Sequence, residues 1–526
     1  MIPALQNPSL KSKTFPAPVG GWNARDPISQ IPPTDAIFLD NWWPTTNSIK
    51  IRPGHELFAT LPADTEPGSP HNVRALLSHN APGGTQTLFA GLNDGLYNIT
   101  AGGTISSVSS AATDGAWESV NISTAGGHFL WVCNGVDKCR YYDGSAWTVL
   151  DGSSTPALTG ITSTDVTNVS LFKTRLILTK KNSLSFYYLG VNSVAGAASE
   201  FPLGAVFTKG GYLIATATWT RDAGNGPDDY FAALTSEGEL AIYAGTDPSN
   251  AATWAIQGVY FVGRPVGKRC FCKLYGDLGV LTVNGFFLLS KALNENSTSY
   301  GKALSDKISK AWNSYYEVGE GLFGWQATVF PEKSAVLLNI PLRIDHSLAS
   351  VITQQFVFNL QNKSWARFIG WPAEVFHVHN KELYFGRHNK VYKAWTGGDD
   401  DGQPIDAKVF AGYTYPNGAA SCQVQLVRPV FQSSTAQFTV QMGLDVDYKT
   451  IGALSGALSY ASSVAVWDSS LWDQARWGGS TTVNNWRTVT ARVGRAVSFK
   501  MRVRAENLDL EYNAMDMAYI PGGVVG

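Results

Sequence analysis

Short hairpins, each made of two apolar strands around a turn rich in Gly, Asn or Asp, recur along most of this 526-residue chain. Well-defined examples turn at Asn93, Asp143, Glu237 and Asn284, each with a glycine one or two residues later. Glycine and asparagine tolerate the positive φ angles that such turns require. One hairpin cannot bury both of its faces alone, so the pattern requires several of them to stack against one another.

Between about residues 70 and 400 the hairpins form a loose repeat. Successive units lie roughly 40–60 residues apart, which is in the range of β-propeller blades, and we distinguish about five or six of them. A string of separate β-sandwiches is the alternative for the same pattern. Near residues 290–317 the spacing of the apolar residues changes from that of a strand to that of a helix, which predicts a helical insertion. The apolar residues with helical spacing there are Leu304, Ile308, Ala311 and Trp312.

The C-terminal part of the chain has a different pattern. A boundary is predicted in the Gly- and Asp-rich stretch 396–404. Beyond it, residues 401–526 contain long runs in which apolar and polar side chains alternate at period two. This alternation is typical of sheets with one solvated face and predicts a separate β-sandwich domain. The clearest runs are 424–431, 437–443 and 497–504.

Residues 1–69 are rich in proline and turn residues and predict an extended arm. Trp22, Trp42 and Trp43 would anchor this arm on the core or on a neighbouring subunit. Within the arm, residues 35–42 are predicted to form a short helical turn. The expected fold is therefore all-β, with a β-propeller core, an additional C-terminal β-sandwich domain and an extended N-terminal arm.

Charge and hydropathy limit the classes of function that this chain can have. Charged residues make up 15% of the chain and the net charge is −1, which excludes a generally basic nucleic-acid-binding protein. A strand-rich surface with so little charge aggregates unless neighbours cover it, so we expect assembly with partners. The N-terminus has no cationic start followed by an apolar run, and no stretch is apolar enough to cross a membrane. We therefore expect folding in the cytoplasm and no membrane insertion.

The cysteines do not form a disulfide pattern, because their number is odd and their spacing irregular. Two of them are separated by one residue and would share one face of a strand, the arrangement of a metal or redox pair. Neither a CxxC motif nor a nearby histidine supports that interpretation, so all five are predicted to be buried free thiols. They are Cys133, Cys139, Cys270, Cys272 and Cys422.

Three consecutive aspartates, Asp399, Asp400 and Asp401, precede Gly402 and resemble the start of a calcium loop. Such a loop needs oxygen ligands at alternate positions and a glutamate at position 12, and neither is present. The stretch is therefore interpreted as a linker turn.

Glycoside hydrolysis needs two carboxyl groups that converge in a pocket. The best local pairs are Asp228 with Asp229 and Glu237 with Glu239, and both lie at turns or on hairpins. A glycosidase is therefore disfavoured. The sequence also lacks the GxSxG, HExxH, GxxxxGK[ST] and strand-linked GxGxxG motifs. We expect a protein that is not an enzyme, with no catalytic, cofactor-binding or metal-binding residues.

Two further groups of residues have both a functional and a structural interpretation. His377 and His379 would share a strand face as two metal ligands, but no third ligand is apparent, which favours ordinary histidines on a polar face. The cationic residues are dispersed, and among their densest groups Lys268 with Arg269 face either a channel or solvent. These groups are Lys180 with Lys181, Arg264, and Lys268 with Arg269.

A tryptophan-rich loop near the C-terminus resembles a carbohydrate-stacking platform. Trp467, Trp472 and Trp477 alternate there with Asp468 and Asp473. Aromatic faces pack on sugar rings and carboxylates bind hydroxyl groups. The alternative, which we favour, is a loop that fixes the edge of the sandwich or contacts another subunit.

Several motifs resemble the tail nozzle, also called tail tubular protein B, of short-tailed bacteriophages. The resemblance spans most of the chain, and the motifs contain structural turns rather than catalytic signatures. They are the segments 18–27, 40–44 and 51–54, the stretch 172–204, the segment 243–248 and the tryptophan-rich segment 467–473.

The resemblance implies a virion protein with a β-propeller and added β domains, assembled in the host cytoplasm. Nozzle subunits form a homo-hexameric ring below the tail adaptor and enclose a channel for the double-stranded genome, with tail fibres as a further candidate partner. A conduit should avoid tight phosphate binding, with which the near-neutral charge is compatible. No functional residue is carried over from these motifs. The alternatives are a propeller lectin or receptor-binding tail protein that recognises host glycans, and a glycoside hydrolase.

Overall fold

The protein is built almost entirely of β-strands, as the sequence predicts. The computed structural model describes residues 9–63, 72–84, 86–222, 227–294, 303–343, 351–435, 437–449, 454–461 and 481–523. The N-terminal segment contributes β1 (Lys11–Pro16), β2 (Gly21–Trp22), β3 (Asp35–Asp40), β4 (Trp42–Pro44), β5 (Ile49–Ile51) and β6 (His55–Thr60).

The next strands belong to four consecutive antiparallel sheets and their connections. The first group comprises β7 (Ala75–His79), β8 (Thr87–Leu92), β9 (Gly95–Asn98), β10 (Gly103–Thr104) and β11 (Ser110–Ala111). The second comprises β12 (Glu118–Thr124), β13 (Gly127–Cys133), β14 (Arg140–Tyr142) and β15 (Trp147–Val149). The third comprises β16 (Leu158–Thr159), β17 (Val166–Phe172), β18 (Arg175–Lys180), β19 (Ser185–Tyr188), β20 (Gly196–Ala197) and β21 (Ser199–Pro202). The fourth comprises β22 (Leu213–Asp222), β23 (Pro227–Thr235), β24 (Glu239–Ala244) and β25 (Ala255–Phe261).

Three further groups follow, interrupted by two helices. The fifth group comprises β26 (Phe271–Leu274), β27 (Asp277–Thr282) and β28 (Gly285–Leu288), and the helices are α1 (Leu289–Asn294) and α2 (Ser309–Gly319). The sixth comprises β29 (Gln326–Phe330), β30 (Ala335–Arg343), β31 (Val351–Asn359) and β32 (Ser364–Phe368). The seventh comprises β33 (Val375–His379), β34 (Glu382–Arg387) and β35 (Lys390–Ala394).

In the described part of the chain, these groups form the seven blades of a propeller. The first strands of successive blades contact one another in chain order: β7, β12, β17, β22, β26, β29 and β33. β33 in turn contacts β7, so these innermost strands surround a common axis. The repeat count of about five or six is therefore too low. The fifth blade has only three strands, and the seventh takes a strand from the N-terminal segment, so both depart from the repeat.

The ring of blades is completed by a strand that is distant in sequence. β6 pairs with β35 in antiparallel register, with Ala59 opposite Val391, and adds a further strand to the seventh blade. Ala59 and Val391 are buried together with Leu76 and Leu88 of the first blade. The two ends of the propeller segment are thereby held in one sheet and one apolar cluster.

The C-terminal strands form a β-sandwich with part of the N-terminal segment. They are β36 (Ile405–Ala411), β37 (Cys422–Ser433), β38 (Gln437–Val446), β39 (Leu458–Ala461), β40 (Thr481–Val483), β41 (Arg487–Gly494), β42 (Val497–Ala505) and β43 (Leu510–Pro521). One sheet contains β37 and β43 with β1, β4, β5, β40 and β41, and the other contains β36, β42, β38 and β39. Phe499 and Tyr512 stack across the two sheets with ring centroids 5.8 Å apart. The predicted propeller core and C-terminal sandwich are both present.

The propeller and the sandwich share one sheet. The four strands of the sixth blade continue through β2 and β3 into β36, β42, β38 and β39, which gives ten hydrogen-bonded strands in one path. The short β2 and β3 belong to the N-terminal segment, which therefore runs in extended form between the two parts. Backbone hydrogen bonds, rather than a flexible linker alone, connect the propeller to the sandwich.

One local prediction comes out differently. Residues 35–40 form the strand β3 and not a helical turn, because β3 is hydrogen-bonded to β2 and to β36 and buries Ala36 and Leu39. Tertiary pairing thus overrides the local pattern. The helical insertion near 290–317 consists of α1 and α2, and residues 295–302 between them lie outside the described residues.

Candidate functional site: the central cavity of the propeller

A cavity of about 850 Å³ lies on the axis of the propeller. Residues of all seven innermost strands line it, because each of these strands is the edge of its blade that faces the axis. The lining includes six charged side chains: Glu118, Lys173, Asp229, Lys268, Arg269 and Lys273. The sequence alone leaves Lys268 and Arg269 open between a channel and solvent, and the structure places both in the wall of this cavity.

One mouth of the cavity is crossed by the turn that precedes β26. Arg269 in this turn donates from Nε to Glu118 Oε1 at 2.9 Å. Its Nη2 donates to the carbonyl oxygens of Arg74 at 2.9 Å and of Trp117 at 3.1 Å. β26 belongs to the fifth blade, whereas Arg74 and Trp117 immediately precede the first and second blades. These bonds therefore join opposite sides of the ring and close this mouth.

An aromatic ring reinforces the closed mouth. The guanidinium carbons of Arg74 and Arg269 lie 4.4 Å and 5.5 Å from the ring centroid of Phe323. Cation–π contacts of this kind contribute about 0.5–1 kcal/mol at exposed sites and more when they are desolvated. Lys268 donates a further hydrogen bond of 2.8 Å to the carbonyl oxygen of Ala116. The closed mouth is thus fixed by several contacts that span the ring.

At the other mouth, where the innermost strands end, the charges are only partly paired. Lys173 donates to Asp229 Oδ2 at 2.9 Å, and Thr220 donates to Oδ1 of the same carboxylate at 2.7 Å. Burial acts to raise the pKa of Asp229, but these hydrogen bonds and the charges of Lys173 and Lys273 outweigh it and lower the pKa. Lys273 itself forms no hydrogen bond or ion pair with any described residue.

A chain of hydrogen bonds links two histidines through one serine. Ser78 Oγ lies 2.6 Å from His377 Nε2 and 2.9 Å from His379 Nδ1. The Asn380 amide nitrogen can only donate, and it lies 3.2 Å from His379 Nε2. His379 therefore donates from Nδ1 to Ser78, and Ser78 donates to His377 Nε2, which leaves the proton of a neutral His377 on Nδ1.

The two histidines are neutral near pH 7. Burial, the neighbouring His379 and the charge of Arg269 lower the pKa of His377 to about 4, and burial lowers that of His379. Each ring contributes one nitrogen to the Ser78 bridge. Across the described residues, no three His, Cys, Asp or Glu side chains are grouped so that they could hold a metal ion.

The carboxylate pairs considered for hydrolysis do not converge on the cavity. Glu239 accepts hydrogen bonds from the backbone amides of Thr208 and Lys209, at 3.0 Å and 2.8 Å to Oε2. Burial acts to raise the pKa of Glu239, but these bonds outweigh it and lower the pKa. Asp229 is bound to Lys173, and the side chain of Asp228 lies outside the described residues. Neither Glu237 nor Glu239 lines the cavity.

The aspartate stretch has a structural role that the sequence does not reveal. Asp400 accepts two hydrogen bonds from Arg52, at 2.8 Å from Nη1 and 2.7 Å from Nη2, and lies 3.1 Å from His55 Nδ1. The Arg52 side chain is fully buried. Asp401 remains exposed, in the turn expected there.

The cysteine prediction is confirmed: all five are free and buried. Burial is the main cause that raises the pKa of Cys139, Cys270 and Cys272 to about 12. A thiolate is the reactive form of cysteine, so these side chains are poor nucleophiles and poor metal ligands.

The remaining candidates lie away from the cavity. Arg264 lies 3.9 Å from Glu320 in an exposed ion pair, and Lys181 is exposed in the turn after β18. The tryptophan-rich loop, with Trp467, Trp472 and Trp477, lies outside the described residues. The favoured interpretation, a loop that fixes the sandwich edge or contacts another subunit, and its carbohydrate-platform alternative therefore both stay predictions.

The geometry defines an all-β protein in which a seven-bladed propeller is joined to a β-sandwich. No family model and no curated protein matches the sequence. In the described residues, no helix combines the length and the apolar character needed to cross a membrane.

Solved propeller structures are similar at a low level. BBS1N in complex with ARL6DN has 10% identity and a TM-score of 0.37, over 66% of this chain and 96% of that chain. The Cps50 (Swd1) β-propeller domain of Myceliophteria thermophila has 11% identity and a TM-score of 0.37, over 64% and 98%. YCF48 bound to D1 peptide has 11% identity and a TM-score of 0.35, over 64% and 97%. Likenesses at this level carry no argument about function.

Proposed function

We propose that this chain is a structural subunit of the tail nozzle of a short-tailed bacteriophage. Several copies, six in the family that the sequence resembles, form a ring below the tail adaptor and surround a lumen for the genome. The subunit forms part of the wall of the lumen, contacts its neighbours and catalyses no reaction. The alternatives, a glycan-binding tail protein and a glycoside hydrolase, have no observation in the described residues that favours them.

The observation that carries the proposal is the position of three of the six segments behind the resemblance. The segments 18–27, 40–44 and 51–54 meet where the propeller joins the sandwich. Asp40 accepts hydrogen bonds of 2.7 Å and 2.8 Å from Arg367 of the sixth blade. These motif residues therefore stabilise a rigid joint between two domains. A wall subunit needs such a joint, whereas an independent binding domain does not.

Asn41 and Arg52 extend the same joint. Asn41 Oδ1 accepts hydrogen bonds from Arg52 Nε at 2.9 Å and from the backbone amide of Ile369 at 2.8 Å. Asn41 has a φ of 60°, a conformation that asparagine tolerates better than most residues. The motif thus supplies a turn and a hydrogen-bond acceptor at one position.

In this proposal the genome passes between copies and not through the propeller. The cavity is closed at one mouth by Arg269 and Glu118 and has a volume of about 850 Å³. A DNA duplex, whose major groove alone is about 12 Å wide, does not fit such a space. The lumen is therefore enclosed by the ring of subunits and does not run through a single subunit. Because the subunits are nearly neutral, the wall of the lumen makes few fixed contacts with DNA phosphates.

Electron microscopy and light scattering of the purified full-length chain test the proposal. We expect rings with a central opening, either for the chain alone or after mixing with the adaptor of the same particle. We also expect weak binding to linear duplex DNA at physiological salt, with a Kd no tighter than about 1 µM. A particle that stays monomeric both alone and with the adaptor would overturn the proposal.

A further inference from the structure

The central cavity contains more positive than negative charge. Four cationic side chains line it, Lys173, Lys268, Arg269 and Lys273, against two carboxylates, Glu118 and Asp229, which leaves two positive charges in excess. The nearby histidines are neutral and do not change this balance. A cavity with low-dielectric walls focuses such an excess and attracts anions from solution.

Three hydrogen-bond donors in the cavity have no partner among the described residues. They are the Lys273 ammonium group, Nη1 of Arg269 and the Nδ1–H of His377. The other nitrogens of Arg269 and His377 are occupied, by Glu118 and two carbonyl oxygens and by Ser78 respectively. None of the three groups is committed to an acceptor in the part of the protein that the structure describes, so each is free to donate to a ligand that brings acceptors.

The donors are spread along the cavity rather than gathered at one point. Arg269 lies in the turn before β26, and Lys273 lies within β26 itself. Arg269 lies at the closed mouth and Lys273 towards the open one. A single tetrahedral anion cannot contact both ends, whereas a short chain of anionic groups can.

We propose that this cavity binds a small linear polyanion of the oligophosphate class. The ligand enters at the mouth where Lys173 and Lys273 lie, and its inner end reaches Nη1 of Arg269 and Nδ1–H of His377. Charge-assisted hydrogen bonds from arginine and lysine to phosphoryl oxygens are stronger than neutral ones and match the excess of donors. The site is independent of whether the chain assembles into a ring.

Calorimetric titration of the full-length chain with inorganic triphosphate, without divalent cations, tests this. We expect saturable binding, tighter than that of orthophosphate by about tenfold or more. Lys273→Gln should weaken triphosphate binding by about tenfold or more, because it removes a donor and one charge. Lys273 is exposed, so the variant should keep the thermal midpoint of the parent chain. The matched control is Lys181→Gln, which removes an exposed lysine outside the cavity and should leave the affinity unchanged.

Three outcomes would overturn the proposal. The first is the absence of saturable triphosphate binding by the folded parent chain. The second is equal affinity of the parent chain and Lys273→Gln. The third is a heat signal or thermal stabilisation that sodium chloride reproduces at the same ionic strength, because general screening would then account for it.

Discussion

Arg52 and Asp400 form a buried, two-bonded ion pair at the point where the N-terminal segment, the propeller and the sandwich meet. The remaining N–H groups of Arg52 donate to Asn41 Oδ1 and to the carbonyl oxygens of Pro53 and Ile369. All five donors of this guanidinium group are therefore used. Its plane also lies over Trp371, 5.0 Å from the ring centroid. One side chain thus fixes three parts of the chain relative to one another.

Removing the cation of this pair should destabilise the protein strongly. Arg52→Met leaves the Asp400 carboxylate and several acceptors buried without their main donor. Breaking one side of a buried ion pair costs about 3–5 kcal/mol. We expect a loss of this size in the free energy of unfolding, seen as a lower midpoint in urea unfolding followed by tryptophan fluorescence.

The matched control is the half-exposed pair of Arg502 and Asp406, which also has two hydrogen bonds, at 2.7 Å and 3.0 Å. Exposed pairs contribute about 0–1 kcal/mol, so Arg502→Met should lower the stability only slightly. Equal effects of Arg52→Met and Arg502→Met would contradict the role assigned to burial at the joint.

The same pair predicts a pH dependence. Burial acts to raise the pKa of Asp400, but the hydrogen bonds and charges of Arg52 and His55 outweigh it and lower the pKa below its usual value. A carboxylate whose folded pKa is lowered stabilises the fold at neutral pH, and this contribution is lost as the pH falls below the unfolded value of about 3.9. We expect Asp400→Asn to be less stable than the parent chain at pH 7, and the difference to shrink towards pH 3.

Urea unfolding of both chains between pH 7 and pH 3 measures this difference directly. Other aspartates also titrate in this range, but they are common to both chains and cancel in the comparison. Asp401→Asn, at the exposed neighbouring position, should differ little from the parent chain at every pH. A stability difference for Asp400→Asn that stays constant with pH would refute the linkage.

The five cysteines should be unreactive in the folded protein. Burial keeps their thiols protonated, with the pKa of Cys270 and Cys272 raised to about 12. An aromatic disulfide reagent at pH 8 should therefore label less than about one thiol per folded chain. All five should react in guanidinium chloride. Rapid labelling of two thiols in the folded protein would indicate an accessible pair and contradict the buried assignment.

The hairpins were predictable because turn chemistry is local. Gly238, in the turn between β23 and β24, has a φ of 86°, and a Cβ there would lie 2.4 Å from the carbonyl carbon of Gly263. Only glycine fits such a turn, so the sequence marks it directly. Asn284 with Gly285 marks the turn between β27 and β28 in the same way. The apolar strands on either side of such turns are what predict an all-β fold.

Long-range pairing was not predictable in this way. β3 depends on β36, which lies more than 360 residues later, so residues 35–40 contain no local sign of their partner. The two cavity residues Glu118 and Arg269 are 151 positions apart and meet only because seven blades place opposite strands across one axis. The sequence therefore identifies Lys268 and Arg269 as candidates without deciding between cavity and surface. Asp400 is another case, because its partner Arg52 lies in a different domain of the predicted layout.

The closing strand β6 offers the sharpest test of the propeller. Ala59 is 1% exposed and lies in the apolar cluster between the seventh and first blades, whereas Leu57 on the same strand is 42% exposed. Ala59→Lys places a charge in that cluster and should lower the free energy of unfolding by about 3 kcal/mol or more. Leu57→Lys adds the same charge on the solvent side and should change it by about 0.5 kcal/mol or less.

Hydrogen exchange then shows where the destabilisation acts. In Ala59→Lys, the amides of β6 and β35 should exchange faster than in the parent chain, because the pairing of Ala59 with Val391 holds the ring of blades together. The amides of the sandwich strands β37 and β43 should keep their protection. Leu57→Lys should leave both regions unchanged. If Ala59→Lys retained the protection of β35, the ring would not depend on β6, and the closure described for this propeller would be wrong.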